Sequence, residues 1–293
     1  MKNKSLKAAI LSLTLFTGVL MGCSSPKEKN EKEGMIGYIT SSGSTSIQPL
    51  AEKSAEKFRI KYPKLNVMVQ GGGSGTGLTQ VLQGTVDIGN SDIDANKKLS
   101  KEQVVQLKDN KIAAEGFAIV TSKDVTVKSL TKKEIMEIFL GVKTNWKELG
   151  GEDKKITVIH RSASSGTRSA FIEKILDGEK QLENDKIGIV QDSNGNVKTT
   201  LETTKGSISY IGLSYINDEK SKELINILNI NNIEPKAENI ANGSYPFWSW
   251  AHMYTKGESN EISKEFIKYI MSEENKEVIK SLGFIPVNDI KSE

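Results

Sequence analysis

Three short segments of glycine, serine and threonine, each set between an apolar run and a helical pattern, constrain this chain more than any other feature. Gly43-Ser44-Thr45-Ser46 precedes a helical stretch beginning near Ile47. Gly71-Gly72-Gly73-Ser74-Gly75-Thr76-Gly77 follows a strand-like run ending at Gln70 and leads to Leu78, and Arg161-Ser162-Ala163-Ser164-Ser165-Gly166-Thr167 follows a run ending at His160 and leads to Phe171. Such turns aim unpaired backbone N–H groups and hydroxyls at one point, with the positive end of a helix dipole behind them. In open α/β sheets that point lies at the carboxyl ends of the strands, where ligands bind. The expected ligand is a small oxyanion.

The rest of the chain fits an α/β class with mainly parallel pairing. Strand candidates are residues 35–39, 66–70, 86–89, 117–121, 156–160 and 207–211. Ile47, Leu50, Ala51, Ser54 and Phe58 share one helical face that ends before Tyr62-Pro63, and Leu78, Val81 and Leu82 mark a short helix closed by Gly84. Thr131 and Glu134 form a capping box for a helix that buries Ile135, Ile138 and Phe139 and stops at Gly141. Phe171, Ile172, Ile175 and Leu176 mark another, stopped at Asp177-Gly178. Ile262, Phe266, Ile267 and Ile270 form a late amphipathic stretch.

The N-terminus reads as an address. Lys2, Lys4 and Lys7 precede an apolar run over residues 8–22, about the length of a secretory signal core and short of the roughly 20 residues of a membrane span. Leu20-Met21-Gly22-Cys23 resembles the lipobox of bacterial lipoproteins, whose cysteine becomes the lipid-bearing N-terminus, so Cys23 is the expected lipidation site. As the only cysteine it leaves no disulfide framework within the chain. We therefore read residues 1–22 as signal peptide and 23–34 as a Lys/Glu-rich disordered tether. The remaining residues, about 260, suit two lobes: 35–117, rejoined by 246–293, and 118–245. Three of the 40 basic residues precede Cys23, so the mature part balances at 37 against 37 and has no basic field to draw nucleic acid.

Catalytic machinery is missing. There is no Gly-Lys-Ser/Thr loop, GxGxxG spacing or GxSxG elbow, and His160 and His252, the only histidines, lie apart in the sequence. No Cys/His/Asp cluster has metal spacing, and no cofactor is expected. Arg161 offers a planar fork suited to an oxyanion. Asp92 reads either as a turn residue or cap before Ala95, or as a carboxylate that admits an anion only when the anion brings a proton.

The segments GSTSIQPL, QGGGSGTGLTQVLQGTVDIGNSD, TNWKELGG, RSASSGTRSAF and SISYIGLSYI, in that order, closely resemble the phosphate-binding component of phosphate-specific ABC transporters. The likeness covers essentially the whole mature chain. It implies a two-lobed periplasmic-binding-protein fold of type II with the ligand in the cleft, and a lipoprotein on the outer face of the cytoplasmic membrane. It implies phosphate as the solute, a membrane permease and ATPase subunits as partners, and no enzymatic activity. Carried onto this sequence, Ser44 and Thr45 donate from the first loop and Ser74 from the second. Asp92 accepts the phosphate's proton, and Arg161, Ser165, Gly166 and Thr167 complete the cage from the second lobe. The chain departs from better-known members at Ser44 and Ser46. Sulfate or another oxyanion, or less readily a secreted phosphatase, are the alternative readings.

Overall fold

The computed structural model describes residues 35–291; the signal, the tether and Cys23 lie outside them. Among the described residues the strands in chain order are β1 (Gly37–Gly43), β2 (Leu65–Gln70), β3 (Ile88–Ser91), β4 (Leu107–Ser122), β5 (Ser129–Leu130) and β6 (Thr157–Arg161). They continue with β7 (Ile189–Gln191), β8 (Ser207–Gly212), β9 (Ile225–Ile230), β10 (Trp248–Lys256) and β11 (Phe284–Ile285). The main path runs β2-β1-β3-β10-β4-β8-β6-β7.

The two ends of this path are parallel βαβ arrangements. β1 pairs parallel with β2 and β3, and β6 pairs parallel with β7 and β8. The centre departs from the expected parallel pairing. β10 is antiparallel to β3 and β4, and β4 is antiparallel to β8, β9 and β11. β4, a 16-residue strand, pairs with β10 and β11 over its first part and with β8 and β9 over its last, and each of these partners returns from far along the chain to run against it.

Two hydrophobic clusters meet on β4. Ile112 and Ala113 belong to one, with Ile39, Leu50, Phe58, Phe266 and Ile270. Ala114 and Phe117–Val120 belong to the other, with Phe139, Phe171, Tyr210 and Phe247. A β-bulge between Ala251 and His252 pairs these residues with Ala113 and Lys111, leaving Ile112 as the extra residue where the cores change. Tyr245 and Phe247 are fully buried, and Tyr245 Oη donates to Phe117 O (2.8 Å), tying the aromatic segment to β4.

The local expectations hold in most places. Helix Gln48–Lys61 buries Leu50, Ala51, Ser54 and Phe58 on one face and gives way at Tyr62. Thr131 and Glu134 form the reciprocal capping box, a device worth about 1 kcal/mol. Two helices begin earlier than their apolar periodicity suggests. Ser74–Gln83 starts on the second loop's own serine, and Gly166–Lys174 starts inside the third loop and ends before Asp177. The loops and helix N-termini are thus one structure, and that places the site.

Candidate functional site

The three hydroxyl-rich loops converge. Ser44 N–H donates to Asn90 O (2.9 Å), Gly73 N–H to Gly43 O (2.8 Å) and Gly75 N–H to Ser164 O (2.9 Å), so the first loop touches the second and the second touches the third. The approach leaves no room for side chains. A Cβ on Gly166 would lie 2.1 Å from Ser74 Oγ and 2.9 Å from Asp92 Cβ, and one on Gly73, whose φ is +91°, would lie 2.7 Å from Ser164 O.

Asp92 is the acceptor at the meeting point. It follows β3 and is 1% exposed. Its backbone N–H donates to Ser74 Oγ (3.0 Å), and its carbonyl accepts from Ser249 Oγ (2.6 Å). Thr167 Oγ1 donates to Asp92 Oδ2 (3.0 Å), while Oδ1 is buried without a partner. Asp92 stands in the bend after β3, as a turn residue would, and the cap is not realised. The short turn Ala95–Lys97 begins after Asp94 and has no side-chain cap. Burial raises the pKa of Asp92, while the nearby hydroxyls of Ser44, Ser46 and Thr167 and the charge of Arg161 pull it down.

Arg161, also 1% exposed, is the cation. Its Nη2 donates to Thr45 Oγ1 (3.3 Å) and Asp192 O (3.2 Å), and Nε and Nη1 are buried with no partner. Burial lowers its pKa against the opposing pull of Tyr210 and Asp92. Its backbone is fixed from behind by Arg168, whose Nη1 donates to Arg161 O (2.6 Å) and whose Nη2 bonds both Asp185 oxygens (2.7 and 2.8 Å). His160 lies 3.1 Å from Glu183 Oε1, which also accepts from Tyr210 Oη (2.7 Å). His160 therefore supports the strand end, and His252 pairs with Asp109 (2.8 Å).

The other predicted residues fall in the same place. Thr45 Oγ1 lies within reach of three donors, Arg161 Nη2 (3.3 Å) and Asn194 N (3.2 Å) and Nδ2 (2.9 Å), one more than its two lone pairs can accept at once, and its own proton is left to donate. Ser44 Oγ lies 2.9 Å from Ser46 Oγ and accepts from the N–H groups of Ser46 and Ile47. Ser165 caps its helix by accepting from Arg168 N–H (3.1 Å). Sequence reasoning missed two residues. Asn194 joins Thr45 to Gly212 N–H, which donates to Asn194 Oδ1 (3.0 Å). Glu115, 1% exposed, accepts from Ser46 Oγ (3.0 Å) and is a second buried carboxyl. The visible signal for it was a lone carboxylate inside the apolar run IAAEGFAIV.

Two buried carboxylate oxygens, Asp92 Oδ1 and Glu115 Oε1, and two buried guanidinium nitrogens lack partners here, ringed by hydroxyls and two helix N-termini. Such a set suits an oxyanion that carries a proton. Fold and site together define a solute-binding protein, and residues 29–274 match the family model of the PBP superfamily domain. The chain is 39% identical to the phosphate-binding protein PstS of Bacillus subtilis, over 99% of this chain and 96% of that one. It is 29% identical to PstS of Borreliella burgdorferi, over 96% and 99%. This chain belongs to the PstS family of phosphate-binding proteins. Among solved structures it resembles a Clostridium perfringens protein described as a phosphate ABC transporter substrate-binding protein with bound phosphate. That match has a TM-score of 0.78 and 33% identity, covering 86% of this chain and all of that one. An ABC-type phosphate transport receptor from Vibrio cholerae matches with a TM-score of 0.65 and 30% identity, covering 85% of this chain and all of that one.

Proposed function

We propose that this chain captures inorganic phosphate outside the cytoplasmic membrane and delivers it to an ABC permease driven by ATPase subunits. The observation that carries this reading is the pairing of an unsatisfied Asp92 Oδ1 with unsatisfied Arg161 Nε and Nη1 in one buried spot. Each orphaned polar group costs the fold about 1–3 kcal/mol, more when charged. A phosphate that accepts from Arg161 and donates its proton to Asp92 satisfies all three. Ser44, Thr45, Ser74, Ser165, Gly166 and Thr167 supply the remaining hydroxyl and backbone donors. The names of the relatives support phosphate as the solute.

In this reading residues 35–117 with 246–293 form one lobe and 118–245 the other, with β4 and β10 as the straps between them. Ser44, Thr45, Ser74 and Asp92 then stand on the first lobe, and Arg161, Ser165, Gly166 and Thr167 on the second. Phosphate bridges the two sets and favours closure, because only closure satisfies both. Small-angle scattering on the soluble domain, stripped of carried-over anion, should show contraction on adding phosphate. An unchanged radius with binding established by calorimetry contradicts the clamp.

The anchor is proposed on the sequence alone, since Cys23 lies outside the described residues. Among those residues no helix is long and apolar enough to cross a membrane. If lipid on Cys23 holds the chain to the membrane, Cys23→Ser should release it to the soluble fraction with phosphate binding intact, because stable anchoring takes two acyl chains or more. A variant that stays with the membrane contradicts the anchor.

A further inference from the structure

Glu115 sits on β4 within the stretch that feeds the second hydrophobic cluster, between Ala114 and Phe117. Ser46 Oγ donates to its Oε2 (3.0 Å), and its Oε1 is buried with no partner. Ser46 Oγ is in turn 2.9 Å from Ser44 Oγ, and both hydroxyls act on Asp92. Two buried carboxyls therefore face one pair of serines. Gly212 closes the other side: a Cβ there would lie 2.8 Å from Glu115 Oε1 and 2.9 Å from Ser46 Cβ.

The charges around Glu115 do not balance if it is ionised. Asp92 comes from the turn after β3 and Arg161 from the end of β6, and both act on Glu115. Tyr215, in the turn after β8, feels Glu115, Asp92 and Arg161, and also Glu52 on helix Gln48–Lys61. Arg161 is the one cation among these groups. Two carboxylates and an incoming phosphate would set at least three negative charges against it in a water-poor site, where such repulsion is poorly screened.

We propose that Glu115 is the proton-holding carboxyl of the cage, staying a neutral acid while phosphate is bound so that Asp92 is the one ionised acceptor. This rests on the phosphate reading above and adds a consequence. Where Glu115 is ionised in the free protein, binding draws one proton from water onto its carboxylate.

The direction of its titration agrees. Burial first, then the charge of Asp92, pushes the Glu115 pKa well above the usual carboxylate range, against the pull of Ser46 and Arg161. A raised value means that the proton is held at low pH and lost as pH rises through the folded-state value. Because phosphate favours the protonated form, affinity should fall by up to about tenfold per pH unit above the free protein's Glu115 pKa. Phosphate can also take up a proton itself, so the comparison with a variant isolates Glu115.

Glu115→Gln keeps the shape and the acceptor for Ser46 but holds no titrating proton. Phosphate titrations of both proteins from neutral pH upward, in buffers of different ionisation enthalpy, count the protons taken up. Once the pH passes the free protein's Glu115 pKa, the wild type should take up about one more proton per phosphate than the variant, with a correspondingly steeper loss of affinity. Infrared difference spectra of the wild type with phosphate should also show a protonated carboxyl band that Glu115→Gln lacks, a readout that altered packing alone does not produce. A phosphate-bound wild type that shows no protonated carboxyl band beyond that of Glu115→Gln overturns the role of Glu115 and leaves the phosphate reading standing. A wild type that binds no phosphate at any pH sinks both.

Discussion

Arg161→Ala is expected to weaken phosphate binding by about a hundredfold or more. Two of its nitrogens, Nε and Nη1, are buried without a partner, so a bound oxyanion gains at least two charge-assisted hydrogen bonds at once. Such bonds contribute roughly 1.5–3 kcal/mol each, and every 1.4 kcal/mol is about tenfold in affinity. The substitution also leaves Asp92 facing the anion with no compensating charge. Arg161→Lys should rescue only part of the loss, because one ammonium cannot reach the anion while replacing the bonds to Thr45 Oγ1 and Asp192 O. Calorimetry on all three proteins decides the matter. Near wild-type affinity in the alanine variant would remove Arg161 from the cage.

Asp92→Asn should change the choice of anion. Phosphate near neutral pH keeps at least one proton, and sulfate keeps none. An ionised Asp92 can accept from phosphate through Oδ1 but meets a sulfate oxygen lone pair against lone pair. Sites built to bond a required group reject an analogue lacking it by about 10⁴-fold or more. Asparagine keeps the shape, removes the charge and offers an N–H₂ donor, while its Oδ1 can still accept from Thr167. Phosphate affinity should remain useful, because relief of repulsion offsets the lost acceptor, and sulfate binding should rise from undetectable to measurable. An unchanged phosphate-to-sulfate ratio in the variant would reduce Asp92 to a structural residue.

The parts of this molecule legible in its sequence are those whose signal is local. β1, β2, β3, β6 and β8 read as short apolar runs because each is bounded by turns within a few residues. The three loops read as donor clusters because their hydroxyls and glycines are contiguous. β4 was visible only from Phe117 onward. Its first half, LKDNK, is polar and partly exposed, and what makes it a strand is pairing with residues far along the chain, Leu107 with Lys256 and Gly116 with Trp248. The same distance hid β10 and with it the antiparallel centre of the sheet.

Site residues divide in the same way. Arg161 and Asp92 stood beside recognisable loops. Asn194 and Glu115 reach the cage from a helix start and from mid-strand; nothing beside Asn194 marks it, and Glu115 shows only as a lone carboxylate in an apolar run. Ser165 was expected as a donor to the anion, and the structure gives its oxygen a second task in capping the helix behind it. The cap to Arg168 N–H joins residues three apart, and only the fold shows that the helix begins there.

The central claim is that Asp92 and Arg161 together make a cage for an oxyanion that carries a proton. Competition calorimetry of the wild-type soluble domain, stripped of carried-over anion and titrated with phosphate and sulfate at one near-neutral pH, tests it most directly. The account predicts tight phosphate binding that a large excess of sulfate does not displace, a preference of about 10⁴-fold or more. Sulfate binding comparable to phosphate would contradict it.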